Sequence, residues 1–249
     1  MIFITGDIHG YIDISKLFPE NFTIGPKLTR DDFLIICGDF GLLWNDSEEE
    51  QYWLGWLDSC PWTTLWIDGN HENFSMLSKF PVGDWNGGKV QFITDNIIHL
   101  MRGSVFTIDG LDFFVFGGAE SHDKELRTLG ESLWDEELPS AEEIDTGRKN
   151  LQNINWNVDY VITHSLPTYA QDDLFGEGSF PVNPLTDFLE EVADNIECRV
   201  WFTGHYHVTM EYDDAYYLIY NDIVMLTPEG FETVVHMPYE PYDYDDEQQ

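Results

Sequence analysis

Eight polar side chains that could do chemistry follow short apolar runs in this sequence. Asp7 and His9 stand in Gly6-Asp7-Ile8-His9-Gly10, and Asp39 in Gly38-Asp39-Phe40-Gly41. Asn70 and His71 stand in Gly69-Asn70-His71-Glu72, His164 in Thr163-His164-Ser165, and His205 and His207 in Gly204-His205-Tyr206-His207. Five of the chain's eight histidines fall in these motifs. Imidazole, carboxylate and amide oxygen together suit manganese, iron, zinc or cobalt, whereas magnesium and calcium want nearly all-oxygen shells. Two such ions, roughly 3.5–4 Å apart, need one shared carboxylate and can then clamp the attacking and leaving oxygens of an in-line displacement. A lone Gly-Asp is commonly a turn and a lone His a satisfied polar residue. The ordered set, each member behind an apolar run, is what points to metal. Glycines beside the ligands let the chain turn sharply and let a bound group approach closely.

These motifs need elements that bring them together. The runs ahead of them are Ile2-Phe3-Ile4-Thr5, Phe33-Leu34-Ile35-Ile36-Cys37, Thr64-Leu65-Trp66-Ile67, Tyr160-Val161-Ile162 and Val200-Trp201-Phe202. Short and almost wholly apolar, they predict strands buried on both faces. Helices are expected between several of them. Residues 46–59 open with Asp46-Ser47 and three Glu, which favour a helix N-terminus, and Trp53, Trp56 and Leu57 continue as a stripe. Ser140-Ala141-Glu142-Glu143 is a capping box. Asn183-Pro184 supplies a cap and an N1 proline ahead of Leu185, Phe188, Leu189 and Val192. Residues 90–118 carry four runs that predict hairpin strands, with Asp109-Gly110 a tight turn. The pattern is a mixed α/β sandwich with polar groups gathered at C-terminal strand ends, where open α/β sheets bind ligands. Without a repeat or linker, residues 1–238 read as one domain, and the acidic tail 239–249 is expected to fray.

The ordered motifs Gly-Asp-x-His-Gly, Gly-Asp, Gly-Asn-His-Glu, a later His and Gly-His-x-His resemble those of calcineurin-like metallophosphoesterases, over about residues 1–208. The resemblance implies a four-layer α/β/β/α sandwich with two central mixed β-sheets. It implies one ion held by Asp7, His9, Asp39 and His207, and a second by Asp39, Asn70, His164 and His205. Asp39 would bridge, and a hydroxide between the ions would attack phosphorus. His71 would protonate the leaving oxygen or stabilise its charge. Glu72 is a candidate to orient His71, with a solvated glutamate the blander expectation. Manganese is the expected metal, iron or zinc the alternatives.

One departure matters. In the protein-phosphatase branch and its bacterial relatives the second motif reads Gly-Asp-x-x-Asp-Arg-Gly. Here it reads Gly38-Asp39-Phe40-Gly41-Leu42-Leu43-Trp44, without the supporting acid or the phosphate-gripping Arg. This favours a phosphodiesterase on a small or nucleotide-type substrate. The alternatives are a phosphomonoesterase, a phosphoprotein phosphatase, or a silent metal-binding module on the same scaffold. A silent module normally loses a ligand or the acid, and here all eight residues are present.

Composition sets the outer limits. The chain has 249 residues, 43% of them apolar, enough for a sizeable core. Eleven basic against 47 acidic residues leave a net charge of −36. Such a surface repels long nucleic acids and anionic membranes, so a small phosphoester is the expected partner. Positive charge at a phosphate site would then come from bound metal. Among the few cations Arg102, Arg127 and Arg148 are candidates to meet substrate charge, with an ordinary surface ion pair the blander expectation for each, and Arg102 ranks first because it sits at a strand end beside Gly103. Trp44 is a candidate wall for a nucleobase pocket. His99, His122 and His236 default to structural roles, His122 with an option on the site's rim. Three scattered cysteines, no basic leader and no long apolar stretch make the cytoplasm the expected location. Oligomeric state is not legible.

Overall fold

The computed structural model describes residues 1–238; the acidic tail lies outside the described residues. An eight-stranded sheet comprises β1 (Ile2–Thr5), β2 (Phe33–Ile36), β3 (Thr63–Trp66), β4 (Val82–Trp85), β5 (Gly88–Phe92) and β6 (Ile97–Leu100), with two later strands. The second sheet contains β7 (Ser104–Ile108), β8 (Leu111–Phe116), β9 (Tyr160–Thr163), β10 (Val200–Thr203), β11 (Met210–Tyr212) and β12 (Tyr216–Leu218). The chain then returns to the first sheet with β13 (Asp222–Thr227) and β14 (Gly230–His236). The orders are β14-β13-β1-β2-β3-β6-β5-β4 and β11-β12-β10-β9-β8-β7. Both sheets are mixed. β1, β2 and β3 run parallel in one, β8, β9, β10 and β12 in the other, with antiparallel strands at the margins.

The apolar runs explain the layering. Side chains alternate along a strand, so every second residue of a doubly buried strand faces the same layer. Ile2, Ile4, Ile35, Cys37, Leu65 and Ile67 meet Phe113, Val115, Tyr160, Ile162 and Phe202 of the other sheet in a central core. Their neighbours Phe3, Leu34, Ile36 and Trp66 face outward onto α1 (Glu48–Ser59), where Leu57 is buried, and onto the loop segment carrying Ile14 and Leu17. A short helix, α2 (Phe74–Leu77), adds Leu77. On the opposite side Phe114, Phe116, Val161 and Trp201 pack against α3 (Ala141–Asn153), α4 (Thr168–Phe175) and α5 (Pro184–Asn195). This is the expected four-layer sandwich.

The caps form as the sequence predicts. Ser47 caps α1, Ser140 and Glu143 form a reciprocal box on α3, and the Asn183 side chain accepts from Leu185 and Thr186 N–H. Asp109 and Gly110 both adopt positive φ, the signature of a tight hairpin turn. The strands of residues 90–118 do not form one meander. β5 and β6 pair in the first sheet and β7 and β8 in the second, and the chain crosses between layers at residues 101–103. No helix among the described residues is long and apolar enough to cross a membrane.

Candidate metal centre

The parallel registers of β1, β2 and β3, and of β9 and β10, put the C-terminal ends of all five strands at one edge of the sandwich. The donors converge there. Asp7, His9, Asp39 and His207 each offer an atom within 4.8 Å of the others, and Asp39, His164 and His205 form a second such group. Asn70 joins the second group, its Oδ1 lying 3.3 Å from His164 Nε2. Asp39 belongs to both. Its Oδ2 lies 3.3 Å from His9 Nε2 and its Oδ1 3.3 Å from His164 Nε2, so one oxygen faces each group. His207 Nε2 lies 3.3 Å from Asp7 Oδ2.

The local backbone is bent to this purpose. His9, Asp39, His205 and His207 all adopt positive φ, a costly choice for residues with side chains. Two glycines make room for the candidate ligands themselves. A Cβ at Gly69 would run into Asp39 Oδ1, and one at Gly204 into Asp7 Oδ1. The close approach at these glycines is therefore between strand ends.

Neighbouring groups fix the histidine tautomers. His9 Nδ1 donates to Asp13 Oδ2 at 2.6 Å, and His164 Nδ1 donates to the Cys37 carbonyl at 2.7 Å. Each bond leaves the Nε2 lone pair directed into the cluster, as metal-ligating imidazoles require. Asn70 Nδ2 donates to Ser121 Oγ at 3.2 Å, which turns its Oδ1 toward the donors. Lys16 Nζ donates to the carbonyls of Asp7 and Tyr220 and staples the β1 exit.

Asp7 and Asp39 are almost fully buried carboxylates side by side. Burial alone would raise both; His164 with His207, and His164 with His71, hold Asp7 down at about 2 and Asp39 well below the usual range. In return, against burial, Asp13 and Asp39 raise His9 to about 10, and Asp39 and Asp7 raise His164 to about 9. The cluster thus demands compensating positive charge at its centre. A mixed nitrogen and oxygen donor set around a buried carboxylate pair fits a divalent transition ion, which would take over that role from the protons.

His71 lies outside both donor groups. Its N–H donates to Asp39 Oδ1 at 2.8 Å, and its ring stands edge-on to His9 at 5.4 Å between centroids. It lines a cavity of about 360 Å³ together with His9, His207, Tyr11, Leu42 and Trp44. Trp44 is therefore at the pocket, as the sequence suggested. Among the described residues lining that cavity none is Lys or Arg.

Three sequence expectations need correction. Arg102 does not reach toward substrate. It is buried, with Nε donating to Asp68 Oδ2 at 2.7 Å and Nη2 to the Glu136 carbonyl. Glu72 is neither solvated nor bonded to His71. It is 2% exposed and accepts from Phe40 and Gly41 N–H, tying the second motif to the third. Burial and Asp39 push its carboxyl up to about 8 against those bonds. His122, whose default was structural, stacks on His205 at 5.3 Å. His99 is buried between Gln91 and Asp68, and His236 bonds Asp222, consistent with structural roles. Sequence reasoning missed Asp13, Ser121 and the contact between Arg127 and His71. Asp13, four residues after the candidate ligand His9, was the most legible of these.

Two mixed sheets whose strand ends gather nitrogen and oxygen donors place the chain in the class of metallophosphoesterases. It belongs to the calcineurin-like phosphoesterase family, whose profile matches residues 1–209. The chain is 25% identical over 217 residues to a lariat debranching enzyme of Drosophila melanogaster, covering 72% of this chain and 38% of that protein. It is 24% identical over 235 residues to one of Schizosaccharomyces pombe, covering 82% and 47%. The chain thus spans less than half the length of these curated relatives. A solved structure of phosphopantetheinyl hydrolase from Mycobacterium tuberculosis covers 97% of this chain and 98% of its own, at 17% identity and a TM-score of 0.40.

Proposed function

We propose that this chain is a phosphodiesterase acting on a small, nucleotide-type substrate with two divalent ions. Asp7, His9, Asp39 and His207 would hold one, and Asp39, Asn70, His164 and His205 the other. The observation that carries this is Asp39, buried and strained, with one oxygen turned to each donor group. Manganese is the proposed metal, with iron and zinc the alternatives. When bound, such ions neutralise phosphate oxygens and lower the pKa of water toward neutrality.

The protein's own groups do the rest. His71, between Asp39 and the cavity, is placed to meet the leaving oxygen. Burial, with His9 and Arg127 nearby, lowers its pKa to about 4 despite Asp39. Placed there, His71 can protonate the leaving oxygen or stabilise the charge that develops on it. The cavity around Trp44, Tyr11 and Leu42 offers aromatic and apolar surface without Lys or Arg among the described residues that line it. That suits a nucleoside or similar neutral group on the far side of the phosphate, and hence a diester. The likeness to proteins named as lariat debranching enzymes supports a nucleotide-type substrate.

The test is turnover by metal-depleted protein titrated with Mn²⁺ on bis-p-nitrophenyl phosphate, p-nitrophenyl phosphate, and linear and cyclic dinucleotides. Manganese-dependent turnover with diesters ahead of the monoester is expected. Turnover that survives exhaustive chelation would overturn the metal reading. A monoester preference would move the chain to the phosphomonoesterases.

A further inference from the structure

The second motif lacks the Arg that would grip phosphate, and no Lys or Arg is among the described residues lining the cavity. The segment between β8 and α3 brings one in from elsewhere. This segment lies over the second donor group: Ser121 bonds Asn70, and His122 stacks on His205. Five residues on, Arg127 Nη2 lies 3.0 Å from His71 Nε2. Its Nε pairs with Asp123 Oδ1 at 2.7 Å, and its side chain is 10% exposed. The guanidinium is therefore held in place beside the residue that faces the leaving group.

A single imidazole nitrogen engages one donor of a guanidinium, whose planar fork matches phosphate oxygens. Nε is occupied by Asp123, one Nη1 hydrogen by the Ser132 carbonyl at 3.4 Å, and one Nη2 hydrogen by His71. Of five N–H donors two remain, and the bond to His71 is one that an arriving anion can replace.

We propose that Arg127 binds a non-bridging phosphate oxygen of the substrate, supplied by the 119–138 segment in place of the Arg absent from residues 38–44. This rests on the phosphoesterase reading above. In binding phosphate, Arg127 releases His71 Nε2, so substrate arrival frees His71 for the leaving oxygen.

Orthophosphate binding to manganese-loaded protein, followed by calorimetry, tests the contact apart from turnover. Arg127→Ala should weaken it about 10- to 100-fold, the span of a charge-assisted hydrogen bond. Manganese stoichiometry and melting temperature should stay at wild-type values, and KM for a diester should rise. Arg127→Gln keeps a polar tip without the charge and should also weaken binding, which guards against a folding defect in the alanine variant. Wild-type phosphate affinity in both variants overturns the role of Arg127 and leaves the metal reading standing. Failure of the wild-type protein to take up manganese overturns both.

Discussion

Asp13 accepts from His9 Nδ1 and also from the Tyr220 hydroxyl, so it holds the proposed ligand ring from behind. Losing such a partner typically costs about 10- to 100-fold in metal affinity. Asp13→Ala is expected to show that loss in a manganese titration while keeping the fold. Asp39→Asn is a harsher change, because both donor groups share that carboxylate. It should reduce bound manganese at both positions and nearly abolish diester turnover; full stoichiometry in this variant would argue against a bridging role. His71→Ala should leave metal content intact and lower kcat by about 10²–10⁴, the range of a positioned acid.

At the scale of elements, Arg102 sits where the chain crosses from one sheet to the other. It joins that crossing to Asp68 at the end of β3 and to the Glu136 carbonyl of the segment over the site. Burial alone would raise the Asp68 carboxyl, but Arg102 and His99 hold it below its ordinary value of 3.8. Arg102→Met leaves a buried carboxylate without its partner, which costs about 3–5 kcal/mol. A denaturant titration measures that loss. The sign of the pH dependence follows from the depressed value. The pair's contribution is complete above the unfolded pKa near 3.8 and disappears as pH falls through the lower native one. The stability difference between wild type and Arg102→Met should therefore shrink below about pH 4. A constant difference down to pH 2 would contradict the ion pair.

For the whole molecule, the net charge of −36 surrounds a site that handles phosphate. Exposed charges act over roughly 30 Å at 0.01 M salt but only about 8 Å at 0.15 M. An anionic diester should thus meet the protein more easily as salt rises, and kcat/KM should increase over that range. Electrostatic steering by a basic surface would give the opposite slope.

The candidate donors were legible because each of these strand ends carries its polar groups within a few residues of an apolar run. The central strands were legible because doubly buried strands leave near-continuous apolar stretches, and the capping residues marked three helices by local hydrogen bonding alone. Contacts between distant segments were not legible. Nothing local tells that β13 returns to lie beside β1, or that β5 and β6 part from β7 and β8 into separate sheets. Arg102 and Arg127 show the same division. Arg102 follows an apolar strand and Arg127 a mixed-charge turn, and their sequence neighbours give no reason to bury one against Asp68 and set the other beside His71. Only the packing of layers decides which charged groups lie together, because that choice depends on distances between residues far apart in the chain.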